Sequence, residues 1–323
     1  MNNKGFEFSF GWIFSIIVGI AVLALAIFAV TSLINQERYI LDTESAQQLE
    51  ALLNPLQTGG ESLSRPGKIT FPIESQIITR CDSRGKYGEN TISVGGKVSV
   101  GSQNQEQGFE SRIEAHYIFS EKVMQGKEFS VLVRPFYFPY KVGDTIILWT
   151  GKYCLINPFQ GIRDNLEGLN ASGIRIVDDV RMCGADEKKV CFGTDSGVGS
   201  SFCNIEVNGD DEKGSVKKNS RRVYYESGLV YAAIFSDVDN YECNVKRLAL
   251  RAKSLADTYS RKAQLVSAQS GDACGSSLVG LMDNYALNLE INGSRELSTA
   301  RILAKQIEEV QEPLLCSLWR SGE

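Results

Sequence analysis

The sequence predicts an α+β protein in three parts: an N-terminal transmembrane helix, a mainly antiparallel β ectodomain and a C-terminal helical pack. Three observations predict it. The 25 residues from Phe10 to Ile34 carry no charge. Between Lys68 and Ile234, short apolar or alternating runs recur, separated by turn residues such as Gly95-Gly96, Gly126 and Asn208-Gly209-Asp210. Beyond Asp239 the apolar spacing switches to alternating threes and fours. The chain has 323 residues, 43% apolar and 23% charged, which is an ordinary globular balance and argues against a disordered stalk. The segments divide into a short cytoplasmic leader (1–9), a transmembrane helix (10–34), a juxtamembrane helix and hinge (35–67), a β-rich ectodomain (68–236) and a C-terminal helical subdomain (237–323).

About 20 apolar residues are enough to cross a bilayer as a helix. The Phe10–Ile34 run exceeds the roughly 7–15 residues of a cleavable secretory core, so it reads as a retained anchor. Phe6, Phe8, Phe10, Trp12 and Phe14 gather at its start, where aromatic rings favour a membrane–water boundary. Lys4 and the amino terminus face Glu7 on one flank, while Glu37, Arg38, Asp42, Glu44 and Glu50 follow on the other. The positive-inside bias then places a short tail in the cytoplasm and the body outside the cell membrane, with the lipid bilayer as partner. All eight cysteines (Cys81, Cys154, Cys183, Cys191, Cys203, Cys243, Cys274 and Cys316) follow the run, an even number that suits disulfides in an oxidising compartment. The sequons at Asn170 and Asn292 suit the same location.

A helical stripe continues through Ile40, Leu41, Ala46, Leu49, Leu52 and Leu53 until Asn54-Pro55 stops it. Thr58-Gly59-Gly60 and Ser64-Arg65-Pro66-Gly67 form a joint. The β-rich text that follows holds one helical interruption after Asn157-Pro158, with Ile162, Leu166 and Leu169 on one face. Val230–Ile234 reads as a last strand. The aromatic stretch Arg134–Tyr140, bounded by Pro135 and Pro139, reads as an edge strand whose rings fill the core. Lys217-Lys218 and Arg221-Arg222 read as a solvated loop, and with a net charge of −5 no basic face for nucleic acid emerges.

In the C-terminal part, Val245, Leu248, Ala252, Leu255 and Tyr259 form one stripe, with Asp239 or Asn240 as its cap. After a loop and a shorter stretch at Leu278–Leu289, Ala300, Leu303, Ile307, Val310 and Leu314 form another, ended or kinked by Pro313. An antiparallel helical pack would bring Cys243 near Cys316, and a hairpin would bring Cys183 near Cys191, so these two pairs are the expected disulfides.

Candidate chemistry is sparse. One histidine leaves few routes to acid–base or metal catalysis, and paired CxxC spacing for zinc is absent. His116, Asp144 and Ser196 occur in the order of a chymotrypsin-like triad. They lie too close in sequence for two barrels, so a serine hydrolase is a remote alternative. The acidic clusters Asp210-Asp211-Glu212 and Asp237-Val238-Asp239-Asn240 offer hard oxygens for Ca²⁺ but read as a solvated turn and a helix cap. No catalytic residue, metal or cofactor is expected.

The leader Met1-Asn2-Asn3-Lys4-Gly5-Phe6 resembles the class III signal peptides of type IV pilins and of archaeal pilin-like surface proteins. That resemblance implies cleavage between Gly5 and Phe6, with Lys4 beside the cut, and an apolar helix that is retained and bundles with those of other pilin-like subunits. Bacterial pilins carry Glu at the fifth mature position; here Phe10 stands there, and Glu7 is at the second. The aromatic-rich start and the later segment Tyr231–Leu248 are also similar to archaeal single-pass surface proteins, a family without an assigned activity. The expected function is therefore a membrane-anchored, disulfide-stabilised structural or interaction protein outside the cytoplasm, a pilin-like or pseudopilin-like subunit. The alternative is an unprocessed cell-surface binding or sensor module.

Overall fold

The computed structural model describes residues 14–30, 32, 67–96, 109–113, 116–169, 173–193, 202–270, 274–311 and 318–319. The leader Lys4-Gly5-Phe6, the stripe at 40–53, the joint before Gly67, Asn170, Ser196, Pro313 and Cys316 lie outside them.

Residues 14–30 form helix α1, whose side chains are exposed along its whole length. Among the described residues, no helix is long and apolar enough to cross a membrane. This corrects the expected transmembrane helix, and with it the single-pass placement of a cytoplasmic tail and an outer body.

Two six-stranded sheets follow. Sheet A is ordered β3-β2-β1-β5-β6-β4. Its strands are β1 (Gly67–Asp82), β2 (Glu89–Gly96), β3 (Phe109–Ile113), β4 (Tyr117–Phe119), β5 (Val123–Tyr137) and β6 (Lys141–Trp149). Its pairs are antiparallel except β4 with β6. The β1–β5 register breaks between Thr70 and Ser75, around Pro72, whose missing N–H cannot continue the ladder.

Sheet B is ordered β12-β11-β10-β9-β7-β8. Its strands are β7 (Lys152–Ile156), β8 (Ile174–Val177), β9 (Glu187–Phe192), β10 (Ile205–Gly209), β11 (Lys213–Lys218) and β12 (Arg221–Glu226). The pairs β7–β8, β7–β9 and β9–β10 are parallel. Helix α2 (Gln160–Leu169) lies between β7 and β8 in the chain. It is a crossover connection, which a parallel pair needs and a hairpin does not. The expectation of a mainly antiparallel β region is corrected to mixed sheets for this reason.

The helices after β12 are α3 (Val230–Phe235), α4 (Val238–Ser270), α5 (Cys274–Asn288) and α6 (Leu297–Gln311). The expected strand at Val230–Ile234 is thus a helix. All six α3 residues are buried, so its sequence shows no polar face from which a period could be read. Phe235 stacks on Trp149 of sheet A, with centroids 4.7 Å apart, and meets Tyr153 of sheet B edge-on at 4.8 Å. One hydrophobic core therefore joins both sheets to α2–α6. The stripes read from the sequence face it: Val245, Leu248, Ala252, Ala300 and Ile307 are buried in it.

The aromatic stretch does fill the core. Phe136, Phe138 and Tyr140 pack against Tyr259, Tyr285 and Trp319. It is not an edge, however, since β5 runs between β1 and β6. Its prolines fall near the end of the ladder, where the chain turns through Pro139 into β6. Sheet A also buries its other face. Leu132 and Ile147 belong to the main core, while their neighbours Val131, Val133, Ile146 and Leu148 form a second cluster with Phe71, Phe129 and Ile77. Successive side chains of a strand point to opposite faces, which separates the two sets.

Candidate functional site

The disulfides come first, because they frame the site. They join Cys81 to Cys243, Cys154 to Cys183 and Cys191 to Cys203. The expected Cys243–Cys316 and Cys183–Cys191 pairs are corrected. Near its start α4 packs against β1 and β4, so Cys243 meets the end of β1 rather than the helical pack. Strand β9 pairs in parallel with both β7 and β10, so Cys183 before it and Cys191 within it bond to different partners. The side chains of Cys274 and Cys316 lie outside the described residues.

Where the two sheets meet the start of α4, a polar cleft of about 880 Å³ opens. Sheet A supplies Thr79, Arg80 and Cys81 from the end of β1, and Glu121, Lys122 and Val123 from the β4–β5 turn. Sheet B supplies Lys188, Asn204, Ile205, Lys218 and Arg221, and the start of α4 supplies Asp237, Asp239 and Asn240. Two disulfides brace its walls: Cys81–Cys243 fastens β1 to α4, and Cys191–Cys203 fixes the chain just before Asn204.

Local chemistry explains each placement. Asn219 and Ser220 have φ of 46° and 69°, and Lys218 pairs with Arg221 across them. Two successive positive φ angles mark the tight hairpin turn whose twist matches paired strands. This turn carries Lys218 and Arg221 into the cleft, which corrects the expected solvated loop. Lys218 is half-buried, and its Nζ donates to the carbonyl oxygens of Ile234, at 2.6 Å, and of Ser236. Burial pulls its ammonium down to about 7, Lys188 pulls the same way, and the carboxylates of Glu121 and Asp237 oppose them.

Asp237 caps α4. Its Oδ1 accepts from Asn240 N at 2.8 Å, which satisfies one of the orphan donors of a helix start. The cap is thus Asp237 rather than the expected Asp239 or Asn240. Asp239 instead pairs with Arg221 at 2.7 Å, and the Arg221 hydrogen bond holds its carboxyl below the usual range. Lys188 pairs with Glu121, tying the two sheets across the cleft. Asn240 is buried, and its Oδ1 accepts from Asn244 Nδ2 at 3.1 Å. Thr79 and Ser120 hydroxyls bond at 2.6 Å behind the wall.

A second anchor lies deeper. Arg247 is fully buried, and its guanidinium donates to the carbonyl oxygens of Tyr87, Gly88 and His116 and to the side-chain oxygens of Asn90 and Asn244. It also lies 5.1 Å from the Tyr117 ring. Five oxygens from three segments converge on one cation, so Arg247 fastens sheet A to α4. Burial draws its guanidinium down to about 10, still well above neutrality. The sequence offered no signal for it beyond a charge flanking an apolar stripe.

The remaining candidates separate. His116 is buried in sheet A, where its carbonyl serves Arg247. Asp144 pairs with Lys141 at 3.0 Å, and Ser196 lies outside the described residues. Asp210 accepts from the backbone of Glu212 and Lys213 within its own turn. Asp211 reaches across to accept from Gly161 N and Ile162 N, capping α2. Asn292 is exposed, while Ser294 of the same sequon is buried and donates to Glu242. Among the described residues, one group of potential metal ligands converges, Cys154, Cys183 and Glu187, and its two sulfurs are bonded to each other.

No family model matches the chain, and neither the curated proteins nor the solved structures include a match.

Proposed function

We propose that the chain is a disulfide-stapled structural or interaction protein of an oxidising compartment, a pilin-like subunit that assembles through α1. The observation that carries this reading is the surface of α1. Eleven large apolar side chains between Phe14 and Val30 stand 42–72% exposed. They are distributed all round the helix, and a helix that is apolar all round requires burial on every side. Docking on one face of the body would leave the rest in water, at a cost of roughly 25 cal/mol for each Å² left exposed. Several identical helices bundled together cover every face. Gly19, Ala21, Ala24, Ala26 and Ala29 let their backbones approach closely. Three disulfides support the oxidising compartment.

Sedimentation of the full chain tests this. The expected particle is several times the 35.6 kDa subunit. Leu23→Lys with Ile27→Lys, which puts two charges on an exposed surface and leaves the body untouched, should return it to the monomer. A wild-type chain that sediments as a monomer contradicts the reading. The braced cleft favours one second reading, a cell-surface binding or sensor module, and a monomeric chain would promote it.

A further inference from the structure

The β1–β2 turn, strand β6 and the middle of α4 border a second pocket, of about 900 Å³. Its lining includes Lys86 and Tyr87 from the turn, Glu89 from the start of β2, Asp144 from β6 and Arg251 from α4. The turn is held at several points. Asp82 accepts from Arg84 N at 2.9 Å, Arg247 donates to the carbonyl oxygens of Tyr87 and Gly88, and Tyr87 Oη lies 3.1 Å from Ser254 Oγ. Gly88 has a φ of 61°, and a Cβ there would run into the carbonyl oxygen of Asp82. At Gly143, which also lines the pocket, a Cβ would come within 2.8 Å of the Tyr117 ring, so glycine makes room for that ring. Lys86 Nζ and Arg251 Cζ both stand beside the Tyr87 ring, 5.1 and 5.4 Å from its centroid.

Two carboxylates of the lining are engaged, Asp82 by Arg84 and Asp144 by Lys141. Among the described residues, Lys86 and Arg251 have no carboxylate partner, and Glu89 has no cation paired with it. Two cations beside one ring repel each other, and the single carboxylate of Glu89 leaves one positive charge in excess. We propose that this pocket binds a sugar acid of the hexuronate class, one carboxylate on a ring of hydroxyls. The planar guanidinium of Arg251 matches a carboxylate, and the Lys86 ammonium adds a second positive charge beside it. Glu89 and Asp144 accept from the hydroxyls, since each ionised carboxylate offers several acceptor sites. One negative charge cancels the excess. A phosphate dianion would overshoot it and face repulsion from Glu89 and Asp144, and a neutral sugar would leave the two cations uncompensated. The volume suits a small-molecule site. This inference is independent of assembly through α1.

The test is calorimetric titration of the full-length oxidised protein at neutral pH with D-glucuronate, D-glucose, acetate and glucose 6-phosphate. Glucuronate should bind at least about tenfold more tightly than glucose, which lacks the charge, and than acetate, which lacks the hydroxyls. Glucose 6-phosphate should also bind more weakly than glucuronate. Arg251→Gln and Lys86→Gln should each weaken glucuronate binding by about tenfold. Lys86 is exposed on the turn, so its variant serves even if Arg251→Gln fails to fold. Glucuronate that binds no more tightly than glucose, acetate or glucose 6-phosphate, or that is indifferent to Lys86→Gln, overturns the proposal. The comparison among the four probes is made on the wild-type protein, so it does not depend on a variant folding.

Discussion

Sheets A and B have six strands each, yet they are fastened to the rest of the molecule over very different sequence distances. Sheet A is closed by antiparallel neighbours such as β1–β2 and β5–β6, and its covalent tie leaves the sheet. Cys81 reaches Cys243 on α4, 162 residues away, beside the Arg247 network. Sheet B contains three of the four parallel pairs among the described residues, and its ties stay local: Cys154–Cys183 spans 29 residues and Cys191–Cys203 spans 12. The difference follows from topology. Hairpins fix their own register, so sheet A needs help only in staying on α4. Parallel strands joined by a crossover lack that closure, so sheet B is clamped where β7, β9 and β10 meet. The cleft lies where the two regimes touch.

The comparison breaks most sharply at Cys81–Cys243. In a chain-entropy view, a 162-residue loop is worth about 5 kcal/mol and a 12-residue loop about 3. Cys81→Ala with Cys243→Ala should therefore lower unfolding free energy by more than Cys191→Ala with Cys203→Ala, as read by denaturant titration of the oxidised protein. Equal losses would mean that loop length does not govern the bracing.

Arg247→Met comes next. It removes one cation from five oxygens and takes a donor away from the buried acceptors of Asn90, His116 and Asn244. The expected loss is about 3–4 kcal/mol in the same titration. A loss below 1 would show that the network contributes little to holding sheet A on α4.

Asp211→Ala, on the sheet B side, removes the cap on α2 that Gly161 N and Ile162 N share. It should cost about 1 kcal/mol, with the opening concentrated in α2 by hydrogen exchange. Uniform exchange across the molecule would deny it a local role.

A further test is a pH dependence at the cleft. The folded state gives up the Lys218 proton near pH 7, according to its shift to about 7, whereas an unfolded lysine holds it to about 10.4. Between those values the unfolded chain binds more protons, so this residue's contribution to stability rises with pH and levels off above the unfolded value. Lys218→Met should flatten that rise in melts taken from pH 7 to pH 10. An unchanged slope would mean that burial does not depress the amine.

How much of this was legible in the sequence depends on whether the signal is local. The stripes Val245–Tyr259 and Ala300–Val310 gave α4 and α6 because helical spacing repeats along one element. Strand existence was legible for the same reason. Strand pairing was not, since nothing within Lys152–Ile156 or Glu187–Phe192 states that its partner is parallel. The segment Val230–Phe235 misled because six apolar residues carry no period. In the cleft, Glu121, Lys188, Lys218 and Asp237 are scattered over about 120 positions, and only the fold makes them neighbours. Asn219-Ser220 between two basic pairs is the one local mark of a tight turn there. The cysteines announced disulfides, but their partners follow from the packing of α4 on sheet A.

The most direct test is a non-reducing peptide map of the alkylated native protein. The account predicts linked peptides for Cys81–Cys243, Cys154–Cys183 and Cys191–Cys203. Cys243 linked to any cysteine other than Cys81, or these six recovered as alkylated thiols, would contradict both the bracing of the cleft and the oxidising compartment.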